Sequence, residues 1–231
     1  MRGFVGLLLW LMALVAVAQA PGPASPSPDG QRSVASYIAV EAGQDAAAVT
    51  ALKAYAAGLR LDPAAQRVLL LTEIGRPGQF VLLESWRDEA AWLAHVAAPS
   101  RRALEQALQP FLLAPFDDRL GLPMQREAPA SEPRDALHVV LHVDVTGTGI
   151  DTMPETLRET ASKALRMPGA IAFEIATQSN KRNHFTVNEI WASRAAYDAY
   201  NASATAKEFR ARFHQVKGAV YDDRLFTQIP P

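Results

Sequence analysis

The side chains that could do chemistry fall into two groups once the chain is laid against itself. Glu84 and Trp86 recur as Glu189 and Trp191, and Arg119 recurs as Arg224, each pair 105 residues apart. The 5 histidines do not recur. His95 stands opposite Tyr200, His142 opposite Tyr37, His138 opposite Ser33, His184 opposite Gln79 and His214 opposite Gln109. A histidine titrates near neutrality and suits proton transfer. None of them lies in a metal-binding pattern such as His-x-x-x-His on a helix, and no Cys, His and carboxylate cluster is visible, so no metal is expected. A residue kept in both copies serves architecture or two equivalent sites; one present once is drift or specialisation. Glu84 and Trp86 lie two apart on a strand and share a face. They read either as structural Glu–Arg pairs (Glu84 with Arg119, Glu189 with Arg224) around a Trp plug, or as an aromatic wall for a flat substrate.

These residues need elements to hold them, and the constant offset supplies the elements twice. It runs from Tyr37/His142 to Leu120/Leu225, the signature of duplication. In the first copy Tyr37 to Val40 is extended, and Val49, Leu52, Ala56 and Leu59 have helical spacing. Val68 to Thr72 and Phe80 to Trp86 are strands around the turn Gly75-Arg76-Pro77-Gly78. Asp88 caps a helix that carries Trp92 and His95, Pro99 interrupts it, and Phe116 to Leu120 is the last strand. The second copy repeats the order from His138 to Val145 onward, with Thr152-Met153-Pro154-Glu155 as a capping box and Ser193 as a later cap. The fold class is α+β: two tandem ferredoxin-like β-α-β-β-α-β repeats. An open sheet with helices on one face leaves the other bare, so the twin sheets should close on each other around a cavity.

The expected units are residues 34–122 and 137–229, joined by a linker over 123–136. His138, His142 and Asp144 share one strand face, opposite Val139, Leu141, Val143 and Val145. That polar face looks either into the barrel or to solvent. A net charge of −1 gives no footprint for nucleic acid. There is no cysteine, hence no disulfide or thiolate ligand. Arg2 and the apolar run Gly3 to Ala18, too short for a comfortable bilayer span of about 20 residues, precede small residues. Residues 1–20 therefore read as a signal peptide, cut after Ala18 or Ala20, and 21–33 as a Pro/Ser-rich tether. An exported protein, periplasmic or secreted, is expected, with an uncleaved anchor as the alternative.

The segment Phe80-Val-Leu-Leu-Glu84-Ser-Trp86, with Ala90, Ala94-His95, Pro99 and Leu112-Leu113-Ala114-Pro115, resembles the antibiotic biosynthesis monooxygenase (ABM) domain. Phe185-Thr-Val-Asn-Glu189-Ile-Trp191, Ala195 and Ala199 carry the resemblance through the second copy. That domain belongs to the dimeric α+β barrel superfamily, so the resemblance implies an intramolecular pseudo-dimeric barrel. Fusion of the two copies removes the usual reason to dimerise, so a monomer is expected. The resemblance also implies a pocket inside the barrel or at the sheet–helix edge. The activity it implies is oxidation of a small aromatic, a quinol or phenol, by dioxygen without metal, flavin or other cofactor. His95 matches the family's helix histidine and becomes the candidate base. Asn188, Tyr37 and Tyr200 become anion-holding donors, and Trp86, Trp191, Tyr37, His142 and Tyr200 candidate substrate contacts. Haem-degrading relatives carry Trp where this chain has His95 and Tyr200, and His where it has Glu105 and Arg210, so their chemistry is not expected. The competing readings are a non-catalytic small-molecule-binding barrel and a structural partner for other barrels.

Overall fold

The computed structural model describes residues 30–125, 133–219 and 223–231. The expected signal peptide, most of the tether and the middle of the linker lie outside the described residues. The first half runs β1 (Arg32–Ala39), α1 (Asp45–Leu59), β2 (Ala65–Glu73), β3 (Gln79–Trp86), α2 (Glu89–Val96), α3 (Pro99–Leu108) and β4 (Asp117–Gln125). The second runs β5 (Leu137–Asp144), α4 (Gly149–Ala164), β6 (Ala170–Gln178), β7 (His184–Trp191), α5 (Arg194–Ala202), α6 (Ala204–Val216) and β8 (Arg224–Gln228). Local chemistry sets the boundaries. Asp88 accepts from the Ala91 amide at the start of α2, and Pro99 occupies the first turn of α3, where its missing N–H costs nothing.

Two expected boundaries move. The expected tether ends at Ser33, whereas β1 begins at Arg32 and pairs along its whole length with β3. The proposed capping box at Thr152 lies inside α4, which starts at Gly149; Thr152 Oγ1 instead donates to the Thr148 carbonyl. Gly147, at φ +56, turns the chain before it, and a Cβ on Gly149 would lie 2.7 Å from Val216 Cβ. A glycine pair thus lets the helix begin a turn early, tucked against α6.

The eight strands close into one antiparallel barrel in the order β1-β3-β2-β8-β5-β7-β6-β4. Each half contributes a ferredoxin-like sheet, and two seams join them: β2 with β8 and β4 with β6. Residues 121–125, assigned in part to the linker, form the second seam. Pro123 suggested a linker, but it sits beside a register shift, where a strand can do without one amide. The end of each half packs across the seam: Ile229, just past β8, joins the first half's core and Met124 of β4 the second's.

Residues of even and odd parity go to different places. Val34, Ile38, Leu70, Leu82 and Trp86 pack outward under α1 and α3. Val139, Leu141, Val143, Val187 and Trp191 do the same under α4 and α6. Ala35, Leu69, Leu71, Val81, Leu83, Val140 and Phe226 point inward and fill most of the barrel. His138 and His142 are on the inward face of β5, His138 without solvent exposure. Tyr37 and His142, 105 residues apart, meet across the middle, Tyr37 Oη lying 2.7 Å from His142 Nε2. Equivalent residues can touch only on the pseudo-two-fold axis, which therefore passes between them.

Gly121 marks how close the halves come. A Cβ there would lie 2.9 Å from Ala176 Cβ and 3.2 Å from the Thr177 carbonyl oxygen, both on the neighbouring strand. Gly121→Ala is expected to force the seam apart and cost about 1–3 kcal/mol, as overpacking does. Urea denaturation at constant m-value checks this; an unchanged midpoint would mean the seam can spread freely.

Candidate active site

The Glu-x-Trp motif makes the same structure in both halves. A buried indole N–H needs an acceptor, and the carboxylate two residues back on the same strand face supplies it. Trp86 Nε1 donates to Glu84 Oε2 at 2.6 Å, and Trp191 Nε1 to Glu189 Oε2 at 3.0 Å. The residue nine places on then covers the indole from the following helix. His95 stacks on Trp86 at 4.5 Å and 28°, and Tyr200 on Trp191 at 4.8 Å and 25°.

The expected Glu–Arg pairs do not form. Arg119 lies in the same strand row as Ala35 and Leu83, whereas Glu84 pairs with Val34. Alternation along each strand therefore puts them on opposite sheet faces. The same parity separates Arg224, level with Val140 and Asn188, from Glu189, level with Val139. Arg119 donates to Asp117 from 2.8 Å and covers the Tyr37 ring at 5.3 Å; Arg224 lies 6.0 Å from that ring.

Around His95 the halves diverge. Tyr55 on α1 shares a 2.7 Å hydrogen bond with His95 Nε2. Its counterpart Thr160 donates to its own helix, at Thr156 O. Arg101 on α3, almost wholly buried, donates to Glu105 and Asp118 at 2.8 Å each and lies 4.5 Å from the Phe116 ring centroid. Its counterpart is Ala206, so in the second half Asp223 accepts instead from Tyr197 Oη, at 2.8 Å. The sequence pattern contained a clue to both missed residues. Tyr55 falls on the α1 stripe between Leu52 and Leu59, and Arg101 heads the stripe Arg101, Leu104, Leu108, a charge where an apolar residue belongs.

Tyr55 and His95 open on a cleft of about 530 Å³ between α1 and α2. Small residues, among them Ala54, Gly58, Ala91 and Ala94, make the room. That volume lies in the range of small-molecule sites. The barrel interior, by contrast, retains a cavity of only about 50 Å³. Of the two pocket locations expected, the sheet–helix edge is the one with space for an aromatic molecule.

The site residues proposed from sequence thus separate into three places. His95 and Trp86 are together, but Trp86 is fully buried beneath His95 and is no wall of the cleft. Trp191 and Tyr200 form the equivalent stack in the second half, both buried in its core. Asn188 does not join His95; it faces the barrel, donates to Glu174 at 2.7 Å and lies 3.2 Å from His138. Tyr37 and His142 occupy the barrel axis and bind each other. Among the described residues no group of three or more His, Cys, Asp or Glu is arranged to hold a metal.

Burial dominates the electrostatics. It lowers His95 to about 4, with help from the Arg101 charge, and His142 to about 3, so both rings are neutral at pH 7. It raises Glu84 to about 7 and Glu189 to about 8, against the pull of the indole hydrogen bonds. The Tyr55 hydroxyl is pushed well above its ordinary value. These shifts fix a stability profile. The histidines hold fewer protons folded than unfolded, so their contribution is complete above 6.5 and lost as pH falls through 4 and 3. The glutamates hold more, so theirs is complete below 4.5 and lost as pH rises through 7 and 8. The two slopes oppose each other between 4.5 and 6.5. Thermal denaturation should show a plateau there, with Tm falling on both sides; a maximum near pH 8 would contradict it.

A doubled β-α-β-β-α-β unit closed into a single barrel has counterparts among known proteins. The family model described as antibiotic biosynthesis monooxygenase matches residues 32–107 and again 136–212. The chain belongs to the antibiotic biosynthesis monooxygenase family. Solved structures share the fold over most of its length. A proposed monooxygenase from Fusobacterium nucleatum superposes with a TM-score of 0.75 at 10% identity, over 87% of this chain and 93% of its own. An anthrone oxidase-like protein gives 0.69 at 11% identity, over 89% and 94%. A proposed monooxygenase from Lactobacillus acidophilus gives 0.67 at 12%, over 87% and 94%. At these identities the likeness is one of fold. No curated protein matches the sequence. Within the ABM family, then, this chain carries two copies of the frame and one copy of the Tyr55–His95 pair.

Proposed function

We propose that the first half is a monooxygenase site that oxidises a small phenol or quinol with dioxygen, while the second half completes the barrel. The observation that carries this reading is the Tyr55–His95 hydrogen bond in the wall of the 530 Å³ cleft, with no counterpart in the second half. A substrate hydroxyl set against Tyr55 passes its proton to the tyrosine oxygen as the tyrosine proton moves to His95 Nε2. The resulting phenolate is electron-rich enough to give an electron to dioxygen, so this route uses neither metal nor flavin. The radical pair joins at a ring carbon as a peroxide, which His95 reprotonates. Loss of water with the ring hydrogen leaves a carbonyl. In balance, a phenol and one dioxygen give a quinone and one water, each taking one oxygen atom.

Cleft, base and shape all support a flat aromatic of one or two rings. The N-terminal apolar run supports action outside the cytoplasm. A barrel closed within one chain supports a monomer. The test is turnover of a panel of phenols and quinols under ¹⁸O₂, read by mass spectrometry. One labelled oxygen per quinone is expected, with no label entering from H₂¹⁸O. One observation favours the second reading, a non-catalytic binding protein: a histidine held near 4 is a weak base in the empty site. No product with any of the panel, together with a ligand-dependent rise in Tm, would decide for that reading.

A further inference from the structure

The barrel interior breaks the duplication's symmetry. Arg67 of the first half forms an ion pair with Glu174 of the second, which also accepts from Asn188. The positions equivalent to Arg67, Glu174 and Asn188 are Ala172, Leu69 and Leu83, all apolar. One side of the lumen is therefore polar and the other is packed with hydrocarbon, and the remaining cavity of about 50 Å³ lies on the polar side. A cavity of that size holds about three waters or one small ion.

Its lining is a donor set. Ser33 and Ser85 are register partners on β1 and β3, both facing the cavity, and neither hydroxyl hydrogen-bonds any described residue. Arg119 enters from β4 beside them; its partner Asp117 sits at the exposed end of the strand and does not line the cavity. Within the barrel lining, Arg67 and Glu174 offset each other, and Arg119 gives Nε and Nη2 to Asp117 while its Nη1 hydrogen-bonds no described residue. A guanidinium nitrogen left over from the Asp117 pair, beside two open hydroxyls, offers an anion charge-assisted hydrogen bonds.

We propose that the barrel interior is a second binding site, separate from the cleft, that takes a small monoanion of the carboxylate class, held by Arg119, Ser33 and Ser85. A cavity of this volume admits formate and excludes any aromatic acid. Because its walls come from both halves, an occupant bridges them and stabilises the closed barrel by linkage.

The test is the thermal melt of the full chain with sodium formate, ionic strength held constant with sodium gluconate, whose anion is too large to enter. Wild type should show a saturable Tm rise of about 3–5 °C at ten times the apparent Kd. Arg119→Gln, which removes the charge, and Ser85→Val, which fills the space with methyl groups, should each abolish the rise. If one variant fails to fold, the other decides. No saturable rise in wild type, or a rise retained by either folded variant, overturns the proposal and leaves the cavity to water.

Discussion

His95→Ala is expected to lower substrate-dependent oxygen uptake by about 10²–10⁴-fold, the range of a positioned general base, while leaving the melting temperature within a few degrees. The ring is part of the Trp86 stack, so some stability will be lost; Tyr55→Phe separates the effects. It keeps the aromatic bulk against α2 and removes only the hydroxyl that meets His95 Nε2. Uptake should fall in Tyr55→Phe with Tm nearly unchanged. The pH profile gives an independent check. Desolvation and the Arg101 charge hold His95 near 4, so kcat/KM should stay level down to about pH 5 and fall below it. A limb near pH 6.5 would mean that an ordinary, solvated histidine controls the rate. A limb near pH 7 would point to Glu84 instead.

Trp191→Ala is the largest stability effect expected. The indole is almost wholly buried, stacks on Tyr200 and donates to Glu189. Truncation leaves a cavity and an unfilled acceptor, costing about 3–5 kcal/mol. For a chain of this length that is a fall in Tm of roughly 10 °C. The first half should retain its cleft, so any folded fraction should keep its activity per molecule. Trp86→Ala should cost a similar amount of stability and also abolish activity, because the same ring supports His95. Differential scanning calorimetry with uptake normalised to folded protein distinguishes the two. Equal loss of specific activity in both would mean that the second half also carries chemistry.

Much of the architecture could be read from local pattern. Strand alternation, the Gly-Pro hairpin turn, the Asp88 cap and the constant offset each depend on residues near in sequence, and together they lead to a barrel of two ferredoxin-like halves. What escaped depends on register and long-range packing. Whether Arg119 faces Glu84 depends on which β1 residue lies between them, and a shift of one residue reverses the answer. Asn188 and His95 looked compatible as donor and base, yet a sheet stands between them. Tyr55 was hidden because a tyrosine on an apolar helix stripe looks like core until another helix brings a histidine to its hydroxyl. Arg101 was the more legible signal, since a buried guanidinium on an apolar face requires partners, which Glu105 and Asp118 provide. Within the barrel, the large side chains from both halves fill the space that closure seemed to leave for a substrate.

The claim on which the rest depends is that duplication kept two frames and one working site. Its most direct measurement is oxygen uptake by His95→Tyr, which gives the first half the residue that the second already has at Tyr200. The account predicts a stably folded protein, with the stack preserved, whose uptake has fallen to the level of His95→Ala. Uptake undiminished in His95→Tyr would contradict it, and the site would have to be sought elsewhere in the barrel.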